Sequence, residues 1–269
     1  MNIRQFLTKP NTKIHLSDFS SNPPSKIDID KRKAEDELKK LSGQLEGLQN
    51  LLYAAHSQKV LIILQGMDTS GKDGVIRHAF KILNPQGVRV ESFKTPSPQE
   101  LDHDYLWRAH KEVPGKGEIV IFNRSYYEDV LVVRVHGLVG KKEWERRYRQ
   151  INDFEKMLTE ENTVVLKFFL HIDKDEQKKR LQERLDDPSK NWKFSPQDLK
   201  ERKLWDNYTK TFSDMLSACS TSSAPWYIIP ANKKWFRDLL VSKILVSSLS
   251  KLGLRYPKPK ESLKGIKIV

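Results

Sequence analysis

The sequence predicts an α/β fold: a doubly wound parallel sheet of about five strands flanked by helices, with a helical lid. Three observations predict it. From residue 59 onward, short apolar runs alternate with amphipathic stretches of helical length. The run 163–172 is a near-continuous series of Val, Leu and Phe, the pattern of a strand covered on both faces. The run at residues 60–65 leads straight into a glycine-rich segment, the usual junction of a first strand with a ligand-binding loop.

Taken in order, residues 1–27 contain Pro10, Pro23 and Pro24 and read as an extended arm. Residues 28–256 read as one domain, with the lid at about 174–215 inside it, and 257–269 as a C-terminal tail. A helix is predicted over 31–55, because Ala34, Leu38, Leu41, Leu45, Leu48 and Leu52 recur at alternating helical spacings. Such a stripe packs on its own domain or forms an oligomer contact. Strands follow at 60–65, 88–93, 118–122, 163–172 and 226–229. The helices between and after them are placed at 72–83, at 98–113 (stopped by Pro114-Gly115), at 141–160 and at 233–252. In the lid, a helix over 174–185 meets the stop Asp186-Asp187-Pro188. Ser195-Pro196-Gln197-Asp198 then supplies an N-cap, a first-turn proline and an acid for a second helix. That helix carries Trp205, Tyr208, Phe212 and Met215 as an aromatic stripe read as core.

Charge narrows the partners. Lys+Arg number 48 against 35 Asp+Glu, a net charge of +13, so a polyanion is expected: nucleic acid, phospholipid headgroups or polymeric phosphate. Cys219 is the only cysteine, which excludes a disulfide within the chain and argues against a cysteine metal centre. The start lacks the apolar core of a signal peptide, and no apolar run approaches membrane-spanning length, so a cytoplasmic location is expected.

The chemistry is concentrated in Gly66-Met67-Asp68-Thr69-Ser70-Gly71-Lys72-Asp73. Its spacing is that of a phosphate-binding loop, in which backbone N–H groups and the lysine cradle phosphates, and it makes the sheet P-loop kinase-like. Asp73 stands where a Ser or Thr hydroxyl usually coordinates Mg²⁺. With Asp68 it brings two carboxylates to an anion site, which makes sense if Mg²⁺ (or Mn²⁺) bridges them to substrate phosphates. Asp73, Arg77 and Lys81 are four apart on the following helix, either a solvated face or a track for a long anion. At the end of the third strand, Asn123 occupies the place of the usual metal-binding Asp, and Arg124 follows, positioned to neutralise a transferring phosphoryl group. Arg134 and His136 lie further along an apolar segment, and His136 is given no role. Arg180 and Arg184 share a face of the first lid helix, where guanidinium forks can close on phosphate oxygens.

Taken together, the loop with Gly74, the run Phe122-Asn123-Arg124-Ser125-Tyr126-Tyr127-Glu128-Asp129 and the segment 184–193 resemble the polyphosphate kinase 2 family over most of the chain. The resemblance implies phosphoryl transfer between inorganic polyphosphate and nucleotides with Mg²⁺. By position it implies that Asp68 and Asp73 hold metal, that Lys72 binds phosphate, and that Arg124 and Arg184 neutralise the transferring group. Gly66, Thr69, Ser70, Gly71, Gly74, Asn123 and Glu128 would contact nucleotide or phosphate, and Arg77, Lys81, Lys94 and Arg134 the polyphosphate chain. The Tyr126–His136 region looks like the subgroup that accepts both AMP and ADP, with Glu128 where other subgroups carry Asn. The expected partners are therefore inorganic polyphosphate, AMP, ADP and ATP within a homo-oligomer, with no nucleic acid and no membrane. An ATP-dependent nucleoside monophosphate kinase would explain loop and lid but not the charge of +13. A non-catalytic nucleic-acid-binding protein would explain the charge, yet no nucleic-acid-binding motif is present.

Overall fold

In a computed structural model of the chain, all residues are described except Asp28, Lys260, Leu263 and Val269. The expected domain start at residue 28, and three positions of the expected tail, lie outside the described residues.

The first long element is α1 (Lys31–Ala55), capped by the Asp30 carboxylate, which accepts from the Lys33 N–H at 2.8 Å. Next come β1 (Lys59–Gln65), α2 (Lys72–Ala79) and β2 (Val88–Ser92). The short turns α3 (Pro98–Leu101) and α4 (Trp107–His110) lead into β3 (Ile119–Asn123), α5 (Glu128–Val135), α6 (Lys141–Glu160) and β4 (Thr163–His171). The segment expected as a lid contains α7 (Lys174–Asp186), a 3₁₀ turn at Pro188–Lys193 and α8 (Pro196–Lys203), and runs on into the next helix. The chain closes with α9 (Trp205–Ala218), β5 (Trp226–Pro230) and α10 (Lys234–Leu249).

The five strands are all parallel, in the order β2-β3-β1-β4-β5. β1 is central and covered on both faces, and Val60 through Leu64 are completely buried, which is why its sequence is apolar at every position rather than at alternate ones. From β1 the chain runs first to one side of the sheet and later to the other. The carboxyl ends of β1, β3 and β4 therefore border the crevice where ligands of such sheets bind. α10 packs on α1 and α2, while α5 packs on α6 and α9. The leucine stripe of α1 is used inside the chain: Ala34 and Leu41 meet Leu239 of α10, and Leu45 and Leu52 enter the main core.

Residues 1–27 lie against the domain. Phe6, Ile14 and Leu16 are buried, Leu7 bridges to Tyr227 beside β5, and the Ile14 N–H donates to Ser217 Oγ of α9 at 2.8 Å.

Several expected elements differ. The single helix over 98–113 is two separate turns, because Asp104 Oδ1 accepts from the Leu106 N–H at 2.9 Å and offers the backbone an alternative to helix. α2 ends at Ala79 rather than residue 83, and Pro85 then holds Asn84 extended. The stripe Asp73–Arg77 therefore does not continue helically to Lys81. α5 was unforeseen; its run Val130-Leu131-Val132-Val133 has no polar face to reveal a period. The helix after Ser195 bends at Leu204 into α8 and α9, which lets the Tyr208 hydroxyl donate back to Glu201 at 2.8 Å.

Candidate active site

The loop between β1 and α2 adopts the shape its glycines allow. Gly66 has φ +150° with Leu170 O and Ser70 Oγ where a Cβ would stand, and Gly71 caps α2 at φ +100°. Thr69 takes φ 67° and Arg124 φ 63°, left-handed conformations that are uncommon for residues with side chains and concentrate at functional sites. The Thr69 and Ser70 hydroxyls are buried without hydrogen-bond partners among the described residues. Lys72 folds back over the loop, its Nζ donating to Gly66 O at 2.9 Å and Met67 O at 3.3 Å. Burial lowers its pKa to about 8, with the nearby Arg124 charge acting in the same direction.

Two residues anticipated as metal ligands are held by side chains from β3 and the turn after it. Asp73 accepts from Asn123 Nδ2 at 2.8 Å, and Asp68 pairs with Arg124 Nη2 at 2.7 Å. Asn123, which departs from the usual acid, thus orients Asp73, where a carboxylate would repel it. Glu128, at the start of α5, has its carboxyl pushed up by burial, and Arg124 and Lys72 pull it back.

Two cavities open on these residues. The larger, of about 610 Å³, is strongly basic: Lys72, Lys94, Arg184, Lys190, Lys193 and Lys234 line it together with Asp68, Asp73 and Asn123. The smaller, of about 370 Å³, is walled by Trp205, Tyr208 and Phe212 of α9 and by Leu131, Val132 and Glu128 of α5. Asp68, Arg124 and Asp198 line both. Asp198, from the lid, is 3.3 Å from Arg184 Nη1, which also donates to Lys193 O at 3.0 Å.

Most of the residues singled out in the sequence meet here: Gly66, Asp68, Thr69, Gly71, Lys72, Asp73, Gly74, Lys94, Asn123, Arg124, Glu128 and Arg184 line one cavity or both. Others do not. Arg77 and Lys81 are exposed and line neither cavity. Arg134 lines neither; it pairs with Asp214 at 2.6 Å, donates to the Tyr148 hydroxyl at 3.1 Å and stacks over Trp144. Arg180 does line the larger cavity, but its terminal nitrogens are spent on the carbonyls of Thr69, Ser70, Ala231 and Asn232, so it clamps the loop. The aromatic stripe divides: Met215 is buried in the core, whereas Trp205, Tyr208 and the largely buried Phe212 wall the smaller cavity. Sequence reasoning missed Lys190, Lys193, Lys234 and Arg237, which reach the basic cavity from the lid and α10. The two lid lysines flank Trp192 inside a segment already singled out, but α10 carries no local signal. Among the described residues no helix is long and apolar enough to cross a membrane.

Comparison with known proteins agrees with this geometry. Over 266 residues the chain is 52% identical to the AMP/ADP-polyphosphate phosphotransferase of Meiothermus ruber, covering 99% of this chain and all (100%) of that one. It is 43% identical to the ADP-polyphosphate phosphotransferase of Rhodopseudomonas palustris, over 95% of this chain and 92% of that protein. The crystal structure of polyphosphate kinase 2 from Arthrobacter aurescens TC1 superposes with a TM-score of 0.90 at 43% identity, covering 92% of this chain and 89% of that one. Residues 28–255 match the family Polyphosphate kinase 2, and the chain belongs to it.

Proposed function

We propose that the chain is a phosphotransferase that moves the terminal phosphoryl group of inorganic polyphosphate to AMP and ADP, reversibly, giving ADP and ATP. The observation that carries this reading is the pair of cavities with a common wall. The basic cavity suits the repeating charge of a polyphosphate chain, and the aromatic one suits a nucleoside. Arg124 stands where the two meet. The nucleotide's terminal phosphate oxygen forms the new P–O bond in line with the bridging P–O bond that breaks, and the shortened chain leaves with the negative charge. Little covalent chemistry is asked of the protein, so alignment and charge neutralisation carry the rate. Lys72 and the loop N–H groups hold the donor, and Arg124 and Arg184 neutralise the group in flight.

Among the described residues no three His, Cys, Asp or Glu side chains gather into a metal cage. Asp68 and Asp73 nevertheless fit Mg²⁺, a hard cation that binds through one or two carboxylates, retained waters and substrate phosphates. Bound there, the ion would neutralise phosphate charge; Asn123 and Arg124 hold the two carboxylates in place. The chain is expected to form a homo-oligomer, which light scattering of the purified protein tests.

The direct test mixes purified protein, Mg²⁺, AMP and long-chain polyphosphate and follows ADP and ATP. Folded protein that yields neither overturns the reading. In the same assay Glu128→Asn is expected to lower kcat/KM for AMP about tenfold relative to that for ADP, the worth of one charged contact in a half-buried site. An unchanged AMP-to-ADP ratio would remove Glu128 from acceptor selection.

Lys72 sets a pH dependence. Its ammonium is the phosphate-binding form, and with a pKa of about 8 it is retained below that pH and lost above it. kcat/KM for polyphosphate is therefore expected to be level below pH 8 and to fall about tenfold per unit above it. A profile level to pH 10 counts against this role, since the ordinary lysine value is 10.5.

A further inference from the structure

Arg237, in the first turn of α10, belongs to no motif described above. Its side chain is 2% exposed. Nε and Nη2 bond Asp238 Oδ1 at 2.8 and 2.7 Å, whereas Nη1 has no hydrogen bond among the described residues. That free nitrogen lies on the phosphate-binding loop. A Cβ placed on Gly71 would stand 1.9 Å from Nη1, one placed on Gly74 would stand 2.7 Å from Nη2, and Arg237 lines the basic cavity.

The contrast with Arg180 identifies what is unusual. Arg180 also lies beside Gly71, but its two terminal nitrogens are consumed by four backbone carbonyls. Among the described residues Arg237 keeps one donor unspent at the wall of the basic cavity, where a ligand can take it up. Two buried guanidiniums, the start of α2 and Lys72 converge there, while Asp238 and Glu176 each balance only one charge. Glycine is also a poor helix residue, yet Gly74 sits in the first turn of α2, where any side chain would displace the guanidinium.

We propose that Arg237 is a phosphate ligand of this site. Its Nη1 donates to a phosphate oxygen of the polyphosphate held by the loop, and Gly71 and Gly74 are glycine because its guanidinium occupies their Cβ space. This rests on assigning the basic cavity to polyphosphate.

The experiment measures equilibrium binding of long-chain polyphosphate, KM for polyphosphate and for AMP, and thermal melting, in wild type, Arg237→Met, Arg237→Lys and Gly74→Ala. Arg237→Met and Gly74→Ala are expected to weaken polyphosphate binding about tenfold or more, as loss of a charge-assisted hydrogen bond does, with KM for AMP within about twofold. Arg237→Lys restores part of the affinity. Wild-type affinity in folded Arg237→Met overturns the proposal, as does an equal rise in both KM values, which marks a purely structural role. If Arg237→Met does not fold, wild-type polyphosphate affinity in Gly74→Ala overturns it. Failure of the wild type itself to bind polyphosphate would instead overturn the assignment of the cavity, and this proposal with it.

Discussion

Replacing Arg124 with alanine is expected to lower kcat by about a thousandfold or more, the range measured for arginines that neutralise a transferring phosphoryl group. KM for either substrate is expected to change far less, because the charge it meets is greatest at the transition state. Its placement supports that size. The residue sits at φ 63°, held there because its N–H donates to Leu64 O of β1 at 3.1 Å. This turns the side chain from the end of β3 onto Asp68, at the wall common to both cavities. Burial opposes its charge, yet Glu128 and Asp68 more than compensate and raise the guanidinium above its ordinary value, so it stays cationic at any working pH. Arg124→Lys is expected to recover little, since a point charge on a flexible stem cannot span two phosphate oxygens and Asp68 together. Steady-state kinetics with saturating polyphosphate and AMP measure this. A loss of less than about tenfold in Arg124→Ala would place the neutralising charge elsewhere, with Arg184 next in line.

How far such a site can be read from sequence follows from which of its parts are local. The loop was legible because phosphate binding by backbone N–H groups demands a fixed spacing of Gly66, Gly71 and Lys72 within one stretch of chain. Strands were legible because a doubly covered parallel sheet needs unbroken apolar runs, and the stop at Asp186-Asp187-Pro188 and the start at Ser195 end one helix and begin the next as read. Cations were another matter. Arg77, Arg134 and Lys94 look alike in sequence, but only Lys94 reaches the cavity. Arg134 meets Asp214, eighty positions on, and that pairing is set by the packing of α5 on α9. Arg237 had no local marker because the loop it lies against is brought to it by α10 packing on α2. Even so, Gly74 was a trace of it, a helix glycine whose reason lies on another element.

Lys167→Met is expected to destabilise the fold by about 3–5 kcal/mol, and Glu155→Leu by a comparable amount, while the two changes combined recover most of the loss. Both side chains are 0% exposed. Lys167 lies on β4 opposite Ile63 of β1, and its Nζ donates to Glu155 Oε2 at 2.6 Å, to Cys219 O at 2.7 Å and to the Tyr127 hydroxyl at 2.9 Å. The other Glu155 oxygen accepts from the Tyr126 and Tyr127 hydroxyls at 2.9 and 2.7 Å. Burial, reinforced by the Glu155 charge, pushes both phenols well above their usual values, so they remain donors. The charged atoms of the pair are hydrogen-bonded, and removing one charge strands the other where both side chains are 0% exposed. Removing both replaces two desolvated ions with apolar groups, which is why the double change is milder than either single one. Urea unfolding of the three variants and the wild type closes the cycle. Single variants within about 1 kcal/mol of wild type would mean that the pair is not the anchor its geometry makes it. The same two tyrosines form the turn between Arg124 and Glu128, so the pair beneath them is the floor on which Arg124 stands. A single variant that folds is therefore expected to lose kcat as well as stability, and the double variant to regain stability ahead of rate, since leucine and methionine cannot bond the two hydroxyls.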